Sequence, residues 1–127
     1  DDTGLEVDAL YGRPGVYSAR YAGKSATDQD NVNKLLDELT DVPMERRGAQ
    51  FRTISAFITA HGAHMFEGIC RGVIMTAERG DGGFGYDPVF KPRGYEKTFA
   101  ELDAQTKNKI SHRGKSIQKF ITFIKEQ

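Results

Sequence analysis

Two long runs, AQFRTISAFITA (49–60) and HMFEGICRGVIM (64–75), are rich in phenylalanine and isoleucine and meet at the short stretch HGAH. Strand-forming runs placed this close in sequence predict an antiparallel hairpin. The neighbours of that hairpin carry a different period. In SATDQDNVNKLLDELTD, Val32, Leu35, Leu36 and Leu39 recur at helical spacing and form one apolar stripe. Ser25 or Thr27 can cap this helix, Asp28 and Asp30 suit the positive end of its dipole, and Pro43 closes it. Adjacent strands interleaved with helices give a mixed α/β chain of the α+β kind, with a mixed sheet.

The remaining elements fit that class. Leu5 and Val7 alternate with polar residues, which predicts a short strand. It runs into YGRPGVYSARYAG, where Gly12, Pro14, Gly15 and Gly23 demand a shaped loop rich in tyrosine and arginine. After the hairpin, ERGDGGFGYDPVF is a glycine-dense loop leading into a short strand. TFAELDAQTKNKI starts with a capping box, Thr98 and Glu101, and so predicts a helix opening there. Ile117, Phe120, Ile121 and Ile124 predict a terminal amphipathic helix, with Ser111 as its N-cap. No repeat or linker interrupts the chain, so residues 1–127 read as one domain.

Charge and cysteine usage narrow the function. Eighteen basic residues balance eighteen acidic ones, which argues against a nucleic-acid or membrane partner. The single cysteine, Cys70, rules out an internal disulfide and a CxxC metal site, and fits a reducing compartment. It sits in a strand-like run, where a free thiol packs as a small apolar residue. No apolar run approaches the ~20 residues of a membrane span, so the cytoplasm is the expected location.

Three stretches have the wrong composition for plain scaffolding. In DDTG, Asp1 and Asp2 are adjacent carboxylates that repel unless a cation lies near, and magnesium is the natural hard-oxygen partner. Thr3 and Gly4 then offer a hydroxyl and an uncrowded N–H to a phosphate. The plain alternative is a solvated acidic turn. In GDGGFGYDP, four glycines let the backbone approach a ligand, Phe84 and Tyr86 supply flat faces for a base, and Asp87 adds an acceptor fixed by Pro88. An ordinary long loop is the alternative there. In KNKISHRG, the cations Lys107, Lys109, His112 and Arg113 crowd a helix start, where they oppose the dipole. They suit an anion or an acceptor-rich ring, and the plain alternative is a solvated basic turn. Together these are the parts for a magnesium nucleotide, and no P-loop or dinucleotide-binding glycine motif competes with them.

DDTGLEVDALYGRPGVYSARYAG, GGFGYDPVF and KNKISHRGK, in this order, closely resemble the inosine-triphosphate pyrophosphatase family, its bacterial branch especially. The resemblance covers essentially the whole chain and corresponds to about the last two-thirds of a family member. It implies a twisted mixed sheet with flanking helices and a nucleotide cleft between lobes. The implied reaction is hydrolysis of deaminated purine nucleoside triphosphates (ITP, dITP, XTP) to monophosphate and pyrophosphate, with Mg2+ as cofactor and a homodimer as the assembly. Asp2 matches the general base and a metal ligand, and Asp1 the neighbouring acid at the metal. Thr3, Phe84, Gly85, Tyr86, Asp87 and Lys107 match substrate contacts, and His112 and Arg113 match the pair at the base. The family's front section, with a phosphate-gripping Gly–Asn–Lys loop and a magnesium-binding glutamate, has no counterpart in this sequence. Asp1 and Asp2 are therefore expected to be interior residues of a larger enzyme, and these residues alone to turn over weakly or not at all. The alternatives are a non-catalytic nucleotide-binding module and a related pyrophosphatase for modified pyrimidines, the latter disfavoured by SHRG.

Overall fold

The computed structural model describes residues 2–126. In chain order the elements are β1 (Asp2–Val7), β2 (Pro14–Gly15), α1 (Asp28–Glu38), β3 (Gly48–Thr59), β4 (Gly62–Ile74), β5 (Phe90–Pro92), α2 (Ala104–Ile110) and α3 (His112–Lys125). The five strands form one sheet in the order β2-β1-β3-β4-β5. The α+β class expected from the sequence is what the chain adopts. All four strand pairings are antiparallel, so among the described residues the sheet is not mixed in direction.

β3 and β4 form the predicted hairpin, in register from Gly48 opposite Val73 to Thr59 opposite Gly62. The turn is tighter than HGAH suggested. It falls on residues 60 and 61, and the positive φ of Gly62 (112°) starts the return strand. β1 then adds to the other edge of β3, with Thr3 opposite Thr53 and Val7 opposite Ala49.

Alternation along the strands makes two unlike faces. Leu5 and Val7 of β1, Ala49 and Phe51 of β3, and Cys70 and Ile74 of β4 belong to the buried core, which also takes Val32, Leu35 and Leu39 from α1. Each fully buried side chain of this size contributes roughly 1.5–3 kcal/mol. Cys70 is buried there as a structural thiol, and burial pushes its pKa up. The other face is polar. Arg52 pairs with Glu67 at 2.6 Å, Gln50 Nε2 donates to Glu6 at 2.8 Å, and Arg71 pairs with Asp8 at 2.9 Å.

α1 starts where the sequence indicates. Thr27 Oγ1 accepts the Asp30 N–H at 3.1 Å, and Asp30 Oδ2 accepts the Thr27 N–H at 3.0 Å, a closed capping box. Arg47, 2% exposed, ties this helix to the sheet. Its guanidinium donates to the carbonyls of Leu39 (2.6 Å), Val42 (3.1 Å), Ile74 (2.8 Å) and Met75 (2.9 Å).

Two expectations about the last helices are corrected. Only half of the Thr98–Glu101 box forms: Glu101 Oε1 accepts the Thr98 N–H at 2.9 Å, but the Thr98 hydroxyl donates to the Arg79 carbonyl at 2.7 Å, and a single turn follows. α2 begins only at Ala104, where Asp103 accepts the Thr106 N–H at 2.7 Å and supplies a fresh cap. On α3, Phe120 stacks on Phe57 at 3.8 Å between ring centroids and Phe123 packs beside Phe66. Ile117, Ile121 and Ile124 stay exposed. The aromatic residues of the hairpin, not the isoleucine stripe, select the face of α3 that docks.

α3 sits unusually close to the sheet because of Gly68. A Cβ built there would come 1.9 Å from the His112 carbonyl oxygen and 2.7 Å from the Ser116 N. Ser116 Oγ donates to the Phe66 carbonyl at 2.9 Å and completes the seam. The first turn of α3 is thereby pressed against the middle of the sheet.

Candidate functional site

Between α1 on one side and the α2–α3 corner on the other lies a cleft of about 670 Å3, floored by β1. That volume is in the range of small-molecule sites. Thr3, Phe84, Gly85, Tyr86, Asp87, Lys107, His112 and Arg113, all singled out in the sequence, line this one cavity. A larger groove of about 870 Å3 runs between β4, α2 and α3, and none of those residues lines it.

Each side chain is held by its own element. Thr3, on the core face of β1, shares a hydroxyl hydrogen bond with Thr53 at 2.8 Å. Ser111 caps α3 by accepting the Gly114 N–H at 3.0 Å, which sets His112 and Arg113 in the first turn as expected. His112 is 6% exposed and stacks on Phe51 with centroids 4.7 Å apart. Burial, with Arg113 and Lys107 nearby, pushes its pKa down to about 3, so the imidazole is neutral at pH 7. The conflict between His112 and the helix dipole is thereby removed. Its Nδ1 is buried without a hydrogen-bond partner among the described residues.

The glycine–aromatic loop is more internally engaged than its composition indicates. Asp87 is 4% exposed, accepts the Phe84 N–H at 3.1 Å and pairs with Lys107 Nζ at 2.5 Å. It is thus a brace for the loop and the lysine. Tyr86 is 5% exposed and donates its hydroxyl to the Ser18 carbonyl at 2.7 Å; burial first, and then Asp28, raise its pKa. A ring that deep is no stacking platform, so that expectation narrows to Phe84. Phe84 is 58% exposed, with Lys107 Nζ 4.8 Å and Arg113 Cζ 5.1 Å from its centroid.

Asp2 stands apart from these residues. It lies on the opposite side of β1 from Thr3, in a recess of about 360 Å3 with Glu6, Arg52 and Ile54. The recess and the cleft both take in Thr3 and Gly4, so the two spaces meet there. Asp1 lies outside the described residues. Among the described residues no group of three His, Cys, Asp or Glu side chains could hold a metal ion. Magnesium takes one or two protein carboxylates and fills its shell with water and phosphate oxygens. Asp2 fits it as one such donor and the described chain supplies no closed cage.

Sequence reasoning missed Ser18, Asp28, Asn31 and Asn108, which also line the cleft. Ser18 Oγ accepts the Leu5 N–H at 2.9 Å and donates to the Gly15 carbonyl at 2.7 Å. Asn31 bridges the Ala22 N–H and the Ala19 carbonyl. Apart from Gly15, their partners are nine or more residues away in sequence, and no local motif announces them.

The fold and the cavity define an α+β protein with a half-open ligand cleft, rimmed by two cations and one exposed aromatic ring, on one face of an antiparallel sheet. The chain belongs to the Ham1 family, which it matches over residues 1–123. It is 54% identical over 125 residues to a dITP/XTP pyrophosphatase of Desulforamulus reducens, covering 98% of this chain and 62% of that protein. It is 50% identical over 125 residues to the dITP/XTP pyrophosphatase of Flavobacterium psychrophilum, covering 98% of this chain and 65% of the relative. Among solved structures, the Ham1 protein of Staphylococcus aureus superposes with a TM-score of 0.92 at 40% identity, over 98% of this chain and 65% of that one. This chain therefore spans somewhat less than two-thirds of the length of these relatives.

Proposed function

We propose that this chain forms the nucleoside-binding part of a pyrophosphatase that hydrolyses deaminated purine nucleoside triphosphates (ITP, dITP or XTP) to the monophosphate and pyrophosphate. The observation that carries the reading is the meeting of Thr3, Phe84, Lys107, His112 and Arg113, drawn from three distant stretches, in one cleft. The names of the relatives, dITP/XTP pyrophosphatases, point the same way.

The geometry supports a division of labour. Phe84 offers the exposed ring for the base, and Lys107 and Arg113 flank it as donors. Hypoxanthine and xanthine present an acceptor at position 6, where adenine presents a donor. Donors buried beside an adenine amine would go unpaired, a mismatch that can cost a factor of ~10⁴. His112, neutral, adds polarity without a full charge. Thr3 and the Gly4 backbone, which line both the cleft and the recess, are assigned to the sugar and phosphates, and Asp2, beyond them, is the candidate base for the attacking water. Bound Mg2+, with Asp2 as one ligand, would neutralise charge on the phosphates. Asp1 is the second acid of this proposed site. The same reading makes the protein cytoplasmic and a homodimer, with the exposed Tyr11, Val16 and Tyr17 of the arginine-rich loop available for the contact. No described helix is long and apolar enough to cross a membrane.

Titration with ITP and magnesium tests the proposal, with heat of binding and pyrophosphate release read on the same sample. Release supports the enzyme. Binding without release supports a nucleotide-binding module for this chain taken alone, and absence of binding overturns the reading.

A further inference from the structure

We propose that Asp28 is a positioning residue for the nucleoside site: by accepting the Gly85 N–H it fixes the loop that carries Phe84. The proposal deepens the nucleotide reading above and rests on it for the identity of the ligand.

Three successive residues of the loop are tied to three different places. Phe84 N–H donates to Asp87 within the loop at 3.1 Å, and Tyr86 OH anchors the base of the loop to the Ser18 carbonyl at 2.7 Å. At the tip of the loop it is Gly85, through its 2.9 Å bond to Asp28 Oδ2, that links the backbone to α1, 57 residues away; a second tie, Gln29 Nε2 donating to Glu78 Oε2 at 3.0 Å, holds only the start of the loop. Packing does not hold this point: Gly85 sits at φ +59°, and a Cβ built there would meet nothing within 4 Å. A glycine in open space has wide backbone freedom, so the hydrogen bond is its restraint. Phe84, the adjacent residue and the one exposed ring of the cleft, takes its direction from that backbone.

Asp28 is not required to start its helix, because Thr27 and Asp30 close the capping box between themselves. Asp87, the other carboxylate lining the cleft, is engaged by Lys107. Asp28 thus places a negative group beside a cleft proposed to take an anion, an arrangement that costs affinity unless the carboxylate does something else there. Holding Gly85 is that task.

The two effects have opposite signs, and this makes the test sharp. If Asp28 acted only through its field, its removal would tighten triphosphate binding; if it positions the loop, removal weakens it. The wild-type chain, Asp28→Ala and Asp28→Asn are compared for binding of magnesium ITP and for hydrogen exchange at the Gly85 amide. Asp28→Ala is expected to weaken binding and speed that exchange by roughly tenfold each, the scale of one hydrogen bond to a charged group. Asp28→Asn, which keeps an acceptor and loses the charge, is expected to restore both to within about threefold. Equal or tighter binding by Asp28→Ala, unchanged Gly85 exchange, or failure of Asn to restore either overturns the assignment. A wild-type chain that binds no ITP refutes the nucleotide reading instead, and Gly85 exchange then decides the role of Asp28 by itself.

Discussion

Replacing Gly68 by alanine should disable the cleft without altering any residue that lines it. Gly68 is in the middle of β4, beneath the first turn of α3, and an added Cβ would stand 1.9 Å from the His112 carbonyl oxygen. A carbon–oxygen contact needs about 3.3 Å, so the turn must retreat by roughly 1.4 Å. The obstacle is backbone on both sides, and no rotamer change relieves it. His112 and Arg113 ride on that turn, and a misplacement of ~1 Å can cost a site about a hundredfold. Overpacking of this kind also costs roughly 1–3 kcal/mol of stability. The expected result for Gly68→Ala is a folded chain by circular dichroism, a lower melting temperature, and magnesium ITP affinity reduced by about two orders of magnitude. Unchanged affinity together with an unchanged melting temperature would refute the claim that this glycine sets the position of α3.

Further predictions concern the acid, the brace and the buried imidazole. Asp2→Asn should abolish most of the proposed pyrophosphate release while leaving nucleotide affinity and melting temperature near wild type; near-normal turnover would remove Asp2 from the mechanism. Arg47→Met takes the guanidinium away from four carbonyls, two of those bonds being buried and two part-buried, and should lower unfolding free energy by about 3 kcal/mol in urea denaturation. A midpoint shift too small to measure would show that water replaces the guanidinium. His112 has a folded-state pKa of about 3 against an ordinary 6.5, so the unfolded chain binds the extra proton between those values. Stability is therefore complete above pH 6.5 and falls as the pH drops toward 3, by roughly 4–5 kcal/mol at most. Denaturation at pH 7 and pH 4 should show about 3 kcal/mol of that loss in the wild type and much less of it in His112→Asn; equal losses would place the acid sensitivity elsewhere.

What could be read from the sequence had local causes. The hairpin, the Thr27 cap, the Ser111 cap and the alternation of Leu5 and Val7 are written within a few residues of where they act. The gathering of Thr3, Phe84, Lys107 and Arg113 was legible only through the order of whole motifs. What escaped depended on distant partners. Tyr86 looks like Phe84 in the sequence, yet its hydroxyl reaches Ser18, 68 residues away, and draws the ring inward. Asp87 looks like a free acceptor until Lys107 arrives from α2. The Thr98–Glu101 box has the right chemistry for a helix start, and the competing Asp103 cap takes over five residues later. The antiparallel arrangement of the whole sheet depends on β1 joining β3, a pairing that neither strand announces.

β1 divides two neighbours in the chain between two sides of a wall. Asp2 and Thr3 are consecutive, yet a molecule touching both cannot lie flat on either surface. It has to bend over the margin of the sheet at Gly4, whose missing side chain lets β2 close in: any Cβ there would run into the Gly15 carbonyl at 2.4 Å. In the proposed hydrolysis, the bond to be cut would then lie at a rim and not at the bottom of a hole. A hydrolase gains from that placement, since its second substrate is the solvent, which arrives at a rim without a gate.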